Sequence, residues 1–563
     1  MKKALFTSLL TILSLCASAQ GSVSVNVGSV GMLGTKLNDS IRFKISELTI
    51  SGPLNVQDIK VLQQIVNRTK TNKKIADECL VTAIDLSNAV IVDSKDGKGI
   101  KSIVSSKTRS GELPNSLFSG AKALTKAVLP QGITAIGKDC FANCESLVDV
   151  TIPETVTEIG SGAFEDCKAL PAINLPASLK TIGANAFEGC ESFTSIVIPE
   201  GVSKLESDAF KECKNLSTVT LPEGLKEIGN EAFAQCEILN NVVIPKSVNE
   251  IGSYAFSKCT ALNNIQMDGV STIGSNAFEN CKSLATITLN KLSKLGSNAF
   301  EGCISLTSAK LDGSLSEVSS DTFKNCTSLS TVTIPNSVKT LGNESFADCK
   351  SLAAIELPAT LQKIGSHAFE NCSSLREMII PNMVKSIGSS AFEGCTSLDS
   401  VAVNGFIEEV SSDLFRRCHN LRTISLPNTI RKIGSKAFQE CTALASISLP
   451  VALTTIGDDA FAKCAALTSV QVPVAVKEIG SSAFEECVML SSVELSAALK
   501  KIGGSAFAKC ASLKEVILNT PAPPAISKST FKGTAPTYVI PRGSLSVYLM
   551  HKDWKTITGY KEK

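Results

Sequence analysis

Histidine is scarce in this chain, and tryptophan is scarcer. The 563 residues include three histidines, at positions 367, 419 and 551, and one tryptophan. The histidines are far apart in the sequence, which argues against a histidine-based catalytic triad or a zinc site. No cluster of glycines precedes a basic residue, so a phosphate-binding loop is not predicted either. We therefore expect no catalytic residues, no cofactor and no metal ligands, and we predict that the protein is not an enzyme.

The chain also lacks an excess of charge of either sign. It has 55 basic and 53 acidic residues, and both signs are interspersed along the sequence. A protein that binds nucleic acid normally carries a basic patch or stripe, because it must neutralise phosphates. The composition therefore predicts no nucleic-acid partner.

Long hydrophobic runs are missing except at the start. Met1-Lys2-Lys3 is followed by an apolar stretch that ends at Cys16, and Ala17-Ser18-Ala19 supplies small residues for cleavage. This pattern is typical of a signal peptide, here residues 1–19. Lipid attachment at Cys16 is the less favoured alternative, because Leu15 stands where a small residue is expected. No later stretch approaches the ~20 apolar residues of a membrane helix. We expect an exported protein, either extracellular or at the cell surface, with the periplasm as a further alternative.

The most abundant feature of the chain is a repeated sequence motif. One copy, at residues 147–169, reads Leu-Val-Asp-Val-Thr-Ile-Pro-Glu-Thr-Val-Thr-Glu-Ile-Gly-Ser-Gly-Ala-Phe-Glu-Asp-Cys-Lys-Ala. Its Phe-x-x-Cys element places Phe at 141, 164, 187, 210, 233, 256, 278, 300, 323, 346, 369, 392, 415, 438, 461, 484 and 507. These Phe residues recur every 22 or 23 residues. A period of this length indicates a solenoid, in which each repeat buries its apolar residues against its neighbours.

Each repeat divides into two legs. In one repeat Val219 and Leu221 alternate with Thr218 and Thr220, which predicts a strand with one buried face. The return leg, residues 225–233, has apolar residues at three- and four-residue spacing after an Ile-Gly bend, and we interpret it as one or two helical turns. Stacking would align the strands in one parallel sheet. The predicted fold is an α/β solenoid with a parallel sheet on one face and short helical turns on the other.

Cysteine occurs 20 times, and seventeen of these residues share one repeat position. Stacked repeats would place them ~4.8 Å apart, but with parallel side chains. A disulfide requires side chains that converge. We therefore predict a column of buried, reduced thiols that act as small apolar residues. Cys79 and Cys140 lie outside this column.

The ends of a solenoid must cover its exposed core. Before the repeats, the sequence predicts a strand at 45–50, a helix capped by Asn55, and an irregular repeat strand at 84–86. After them, Ser544 is predicted to cap an amphipathic helix, and Trp554 to lie in a lid over the last repeat. The predicted organisation is a signal peptide at 1–19, an N-terminal cap region at 20–110, an array of about 18 repeats of 22–23 residues at 111–518, and a degenerate repeat with a capping helix at 519–563.

The motif Ile-Pro-x-x-Val-x-x-Ile-Gly-x-x-Ala-Phe-x-x-Cys-x-x-Leu resembles that of the BspA-like leucine-rich repeat family, also called the Treponema pallidum type. The resemblance covers about residues 111–518, and the segments at 48–55 and 539–544 are similar to the terminal regions of members from gut Bacteroidetes. It implies a leucine-rich repeat fold in an extracellular or surface protein, and some relatives act as adhesins. Because the shared motif consists of core residues, the resemblance implies the fold and does not identify the ligand.

The outward strand positions form the candidate binding surface. Most are small and polar and none is aromatic, which disfavours a carbohydrate ligand. We predict a non-enzymatic binding or adhesion scaffold for protein partners, either host extracellular or bacterial surface proteins. The alternative is a structural or self-associating envelope protein without a host ligand, and the oligomeric state is left open. The candidate partner-binding residues are Thr218, Thr220, Asn241, Asn264, Gln266, Thr286, Thr288, Lys310, Thr331, Thr333, Glu356 and Glu377.

Overall fold

A computed structural model describes residues 21–42, 44–67, 80–92 and 111–563. The signal peptide predicted at 1–19 lies outside these residues, as do Cys16 and Cys79. The chain divides into two compact units, Met1–Val270 and Ser271–Lys563.

The first leg of most repeats forms a short strand, which we call a front strand. A typical one has Ile196 buried between the exposed Ser195 and Val197, and it pairs in parallel with the strand 23 residues later. In Met1–Val270 the front strands are Ser22–Asn26, Glu47–Leu54, Ala83–Ile91, Lys126–Val128, Asp149–Thr151, Ser195–Val197, Thr218–Thr220, Asn241–Val243 and Asn264–Gln266. In Ser271–Lys563 they are Thr286–Leu292, Ser308–Gly313, Thr331–Thr333, Glu377–Ile380, Ser400–Val403, Thr423–Ser425, Ser469–Gln471, Ser492–Leu495, Glu515–Leu518, Thr537–Ile540 and Tyr560–Glu562.

The prediction of one parallel sheet needs correction. The front strands form a five-stranded and a four-stranded sheet in the first compact unit, and two three-stranded sheets and a five-stranded sheet in the second. Interruptions occur where a repeat lacks an assigned front strand, as at residues 353–358. The parallel pairing is confirmed, and its extent is shorter than expected.

The Ile-Gly leg also forms strands, which we call back strands. Each has two residues, of which the second is a buried Ile, Leu or Val, and each pairs in parallel with at least one neighbouring back strand. In Met1–Val270 they are Glu112–Leu113, Ala135–Ile136, Glu158–Ile159, Thr181–Ile182, Lys204–Leu205, Glu227–Ile228 and Glu250–Ile251. In Ser271–Lys563 they are Thr272–Ile273, Lys294–Leu295, Glu317–Val318, Thr340–Leu341, Lys363–Ile364, Ser386–Ile387, Glu409–Val410, Lys432–Ile433, Thr455–Ile456, Glu478–Ile479 and Lys501–Ile502.

The helical turns predicted for the return leg are wrong, because the structure shows no α-helix between residues 111 and 518. The Ala-Phe segment forms consecutive turns instead. In every Phe-x-x-Cys repeat the residues two before and two after Phe have positive φ, as Asp139 and Asn143 do at 52° and 61°. A right-handed helix cannot continue through such residues. The fold is therefore a parallel β-solenoid of stacked coils with few helices.

Hydrogen bonds between repeats hold these turns in place. Between residues 139 and 144, the even-numbered amides donate to the carbonyl three residues earlier in their own repeat. The odd-numbered amides donate to the carbonyls of residues 161, 163 and 165 in the next repeat. Every buried amide of the turn segment is thereby paired, which a buried backbone requires.

The glycine of the Ile-Gly pair allows the backbones of adjacent repeats to lie close together. Gly252 is not left-handed, and a Cβ added to it would lie 2.6 Å from the backbone nitrogen of Asn230 in the preceding repeat. Three repeats lack this glycine, with Glu206, Ser319 and Ser411 in its place. Both serine hydroxyls donate to carbonyls of the preceding repeat, at 2.6 and 2.5 Å. The backbone at these three positions is not left-handed, so residues other than glycine can occupy them.

A column of stacked phenylalanine rings fills the core of each compact unit. From Phe118 to Phe256, and again from Phe278 to Phe531, the Phe rings of adjacent repeats lie 4.9–5.6 Å apart between centroids. Each such pair contributes about 0.5–1.5 kcal/mol beyond the burial of its surface. Each repeat therefore adds one ring to the column, and the core repeats with the same period as the sequence.

Four helices occur in the described residues: Leu33–Lys36, Asp39–Arg42, Val56–Val66 and Leu545–Met550. The helix predicted after Asn55 is confirmed, and Asn55 caps it by accepting from the amides of Gln57 and Asp58. The buried Asp58 carboxylate in turn accepts from the amides of Gly31, Leu33 and Asn55. The strand predicted at 45–50 overlaps Glu47–Leu54, and the one predicted at 84–86 lies within Ala83–Ile91.

At the other end, Ser544 precedes a helix but its side chain makes no capping hydrogen bond. Trp554 lies beyond that helix and is fully buried. Its Nε1–H donates to the Pro524 carbonyl at 2.7 Å, and its ring lies edge-on to Tyr538 and Tyr548. That this segment and the N-terminal region act as caps stays a prediction.

Candidate binding surface

The predicted binding residues all lie exposed on the front-strand side. In Met1–Val270 the ladder places Thr218 beside Asn241 and Asn241 beside Asn264; Thr220 and Gln266 belong to the same sheet. In Ser271–Lys563 one sheet holds Thr286, Thr288, Lys310, Thr331 and Thr333, and a second holds Glu377, whereas Glu356 falls in a segment without an assigned strand. The structure thus brings these residues together in separate groups. That they bind a partner stays a prediction.

Two kinds of hydroxyl group stand side by side on the front strands. Residues at the strand entrance are used internally: Ser217, Thr307 and Ser330 donate to carbonyls of the preceding repeat at 2.9, 3.1 and 3.1 Å. The next outward positions differ, because their hydroxyls make no hydrogen bond with any residue that the structure describes. These are Thr218, Thr220, Thr286, Thr288, Thr331 and Thr333. Only the second kind has both its donor and its acceptor sites free for another molecule.

Charged side chains line a shallow groove at the start of three adjacent front segments. Arg376, Glu377, Asp399 and Arg422 lie along it, together with Ser397 and Asn420. An Arg422 Nη atom lies 2.7 Å from a carboxylate oxygen of Asp399. Arg376 makes no ion pair within the described part of the chain. The groove therefore offers one ion pair, one unpaired guanidinium and one unpaired carboxylate, that of Glu377.

Three exposed apolar side chains lie in the same repeats as this groove, and sequence reasoning missed two of them, Met383 and Phe406. Ile379, Met383 and Phe406 are 64%, 50% and 69% exposed. Phe406 could have been noticed, because it is a phenylalanine outside the Phe-x-x-Cys register. It lies between a front strand and a back strand, a position that the strand alternation does not cover.

Comparison with known proteins assigns the family. The family model described as "BspA type leucine rich repeat region (6 copies)" matches residues 111–239, 180–307, 226–353, 316–445 and 408–537, more than half of the chain. The chain belongs to this family. No protein with a curated description matches this BspA-type chain.

Solved structures of bacterial repeat proteins are similar to this BspA-type chain. A leucine-rich repeat protein from Bacteroides ovatus is 23% identical, with 86% of this chain and 92% of that one covered and a TM-score of 0.45. The T. pallidum leucine rich repeat protein is 30% identical over 31% of this chain and 77% of its own, with a TM-score of 0.26. A leucine rich cell surface protein from Faecalibacterium prausnitzii is 24% identical over 61% and 91%, with a TM-score of 0.34.

The cysteines of the BspA-type repeats do not form a reactive site. The eighteen cysteines from Cys140 to Cys510 are free and buried. Cys144 donates its S–H to the Phe118 carbonyl at 3.1 Å, and this contact recurs along both compact units. Burial raises the pKa of Cys144 to about 12, and it also raises the pKa of Cys418 well above the ordinary thiol value. A thiol with such a pKa is neutral near pH 7 and is a poor nucleophile.

The histidines are engaged separately. His367 Nδ1 lies 2.8 Å from a Glu370 carboxylate oxygen, and His419 Nδ1 lies 3.0 Å from the Glu440 carbonyl. His419 is exposed whereas its neighbour Cys418 is buried, so the two do not form a nucleophile and base pair. In the residues that the structure describes, no group of three or more His, Cys, Asp or Glu is placed to hold a metal ion. None of the helices described there has the length and apolar character needed to cross a bilayer.

Proposed function

We propose that this protein is an exported, non-enzymatic scaffold whose front-strand face binds other proteins. The proposal rests on one observation: some hydroxyl groups on that face are hydrogen-bonded within the fold, and others are not. Those at the strand entrance are consumed by the fold, as Ser217 is, whereas the outward ones, such as Thr218 and Thr220, have no internal partner. A protein partner can use free hydroxyls of this kind as hydrogen-bond donors and acceptors.

Repetition supports the same proposal. A single row of small polar side chains offers a partner little affinity, since each net hydrogen bond contributes only about 0.5–1.5 kcal/mol. Rows spaced ~4.8 Å apart on successive strands can act together on an extended partner. The inner front strands of each sheet pair on both sides, so there the surface presents side chains rather than unpaired backbone.

Export is the second part of the proposal, and the leader pattern at residues 1–19 supports it. The proposed location is extracellular or at the cell surface. Partners would then be host extracellular proteins or bacterial surface proteins.

A pull-down with the purified protein tests the binding role. Immobilised wild-type protein is exposed to host extracellular proteins and, separately, to a bacterial surface extract. The face variant Thr218→Arg/Thr220→Arg should retain less of an enriched partner, because bulky charge replaces the small polar row. The control Thr181→Arg/Ser203→Arg places the same charge on exposed positions of the back-strand side and should bind normally.

Two results would count against the proposal. If neither pool contains a partner that wild type enriches reproducibly, the scaffold role has no support. If wild type elutes as a large assembly in a sizing experiment and the face variant elutes as a monomer, the face serves self-association instead.

A further inference from the structure

Positive charge is concentrated in residues 519–563. This segment has seven basic residues and two acidic ones, Asp553 and Glu562, a net charge of +5, whereas the whole chain has 55 basic and 53 acidic residues. All seven basic residues are exposed. They are Lys528, Lys532, Arg542, Lys552, Lys555, Lys561 and Lys563. The segment is therefore a positive region in a nearly neutral protein.

Most of these cations have no ion-pair partner in the described part of the chain. They are Lys528, Lys532, Arg542, Lys552, Lys555 and Lys561. Of the two carboxylates in the segment, that of Glu562 is already used by the fold, because its Oε1 accepts from the amides of Gly543 and Leu545 at 3.0 and 3.1 Å. The positive charge is therefore available to an external anion.

The same segment exposes one apolar face of a helix. In Leu545–Met550 the side chain of Tyr548 is fully buried, whereas Met550 is 83% exposed. At 3.6 residues per turn, the side of the helix opposite Tyr548 is centred near Met550. The other apolar residues around that side are 37–49% exposed, and they are Leu545, Val547 and Leu549. Four apolar side chains thus share the outward surface of one short helix.

Two of the unpaired cations flank this helix directly. Arg542 stands three residues before Leu545, and Lys552 stands two residues after Met550. No acidic residue occurs between Arg542 and Lys552. The apolar face consequently has a positive charge at each end.

Contacts within the fold bring two further cations to the same helix. Lys561 lies on the last strand, where its neighbour Glu562 accepts from the amide at the start of the helix. Lys555 follows Trp554, whose ring lies 5.3 Å from the ring of Tyr548. The helix, the last strand and the turn at Trp554 are therefore packed together, and their outer surface combines apolar side chains with basic ones.

We propose that this surface docks on an anionic lipid bilayer. We call it the lipid-docking face, and it consists of Leu545, Val547, Leu549, Met550, Arg542, Lys552, Lys555 and Lys561. The apolar side chains insert at the level of the lipid head groups, and the cations contact the anionic head groups around them. The face lies outside the front-strand residues proposed to bind proteins, so the two proposals stand independently.

A second copy of the chain fits this face less well. A stable interface buries about 800 Å² on each partner. Even if each of the four apolar side chains had the roughly 250 Å² of a large aromatic side chain, their exposed fractions would supply less than that. An isologous contact would also place two groups of unpaired cations opposite each other.

A nucleic acid fits the face less well too. Proteins that bind single strands stack the bases on exposed aromatic rings, and no aromatic side chain of residues 519–563 is more than partly exposed. The convex side of an apolar helix with basic residues around it is instead typical of proteins that lie on a membrane surface.

Vesicle sedimentation tests the proposal with the purified protein. One set of vesicles is phosphatidylcholine alone, and the other contains equal parts of phosphatidylcholine and phosphatidylglycerol. At low salt, wild type should sediment with the mixed vesicles and stay in solution with the phosphatidylcholine vesicles, because only the mixed vesicles are anionic.

Removal of the apolar side chains tests the insertion step. Leu549→Ser/Met550→Ser should weaken binding to the mixed vesicles about tenfold or more, since less apolar surface is buried. Val488→Ser/Met489→Ser is the matched control, because it replaces an adjacent pair of exposed apolar residues outside the segment. This control should bind the mixed vesicles as wild type does.

Removal of charge tests the electrostatic step. Arg542→Gln/Lys552→Gln should weaken binding about tenfold or more at low salt, because each basic residue near an anionic surface strengthens binding about fivefold. Added salt should reduce this difference. The control Lys477→Gln/Lys500→Gln removes the same charge from two exposed lysines near the back strands and should leave binding nearly unchanged.

Each variant should melt near the temperature of wild type, because the replaced residues are exposed. The inference is overturned if wild type binds neither kind of vesicle, if it binds both equally, or if Leu549→Ser/Met550→Ser binds as tightly as wild type. A dimeric wild type with a monomeric Leu549→Ser/Met550→Ser would assign the face to a second copy and also overturn it. None of these results affects the front-strand proposal, which Thr218→Arg/Thr220→Arg tests separately.

Discussion

Replacing Gly252 by alanine should destabilise the protein by forcing two repeats apart. The new methyl group would lie 2.6 Å from the amide nitrogen of Asn230 and 2.6 Å from the carbonyl carbon of Gly229. Both are backbone atoms of the preceding repeat and cannot rotate away. The Asn230 side chain lies 2.8 Å from the added group as well, and it accepts a hydrogen bond from the Ser253 amide.

The magnitude follows from two opposing effects. Overfilling a packed site typically costs about 1–3 kcal/mol. Alanine also restricts the unfolded chain, which stabilises the folded state by about 0.4–1 kcal/mol. The expected net loss is about 1–2 kcal/mol. Gly224→Ala is the matched control, because its new methyl group would meet nothing closer than the Glu200 carbonyl oxygen at 3.6 Å. That variant should be unchanged or slightly more stable.

Chemical denaturation and hydrogen exchange together measure this prediction. Stability in a stacked array is a sum of repeat and interface contributions, so the loss of protection should be largest in the back strands Glu227–Ile228 and Glu250–Ile251. The close-approach argument fails if Gly252→Ala and Gly224→Ala are equally stable and show the same exchange pattern.

Three further predictions concern burial and charge. The repeat cysteines should resist alkylation at pH 8 in the native protein, because all of them are buried and burial raises the pKa of thiols such as Cys236. Rapid labelling of the native protein, detected by intact mass, would contradict that. Lys211→Met should cost about 0.5–1 kcal/mol at pH 7. The Lys211 ammonium pairs with Glu231 and Asp208 at 2.9 and 3.1 Å, and these contacts raise its pKa. The pairing therefore stabilises the fold fully below the ordinary lysine pKa, and this stability is lost as the pH rises through the raised pKa of the folded state. Urea titrations of Lys211→Met should show little loss at pH 3, where the carboxylates are protonated. Trp554→Ala should cost about 3–5 kcal/mol, and the lone tryptophan of wild type should be shielded from iodide quenching.

Much of the fold could be predicted from the sequence because the front strands and the core share one period. The alternation around Ile196 identifies the buried face, and Asn55 identifies the start of a helix. The back strands and turns could not be predicted, because apolar residues at mixed three- and four-residue spacing fit a helix and a series of turns equally well. Left-handed positions are held by residues as different as Tyr254, Lys258 and Arg417, none of which is among the types enriched at positive φ.

The candidate site was predictable only in part. Alternation placed Thr218 and its equivalents on the outward face, and the structure finds them exposed. The alternation could not distinguish free hydroxyls from those that are already hydrogen-bonded, because the hydrogen bonding depends on where the carbonyls of the preceding repeat lie. Phe406 and Met383 escaped notice because they follow the strand rather than occupy it.

By itself, the sequence determined the period, the residues that recur as core, and the family. Those properties follow from the spacing of side-chain types along one segment. The tertiary structure alone decided that the return leg is a second strand followed by turns, and which surface groups remain unpaired. The physical reason is that these features depend on hydrogen bonds between residues about 23 positions apart, and a local pattern does not contain the geometry of its neighbouring repeat.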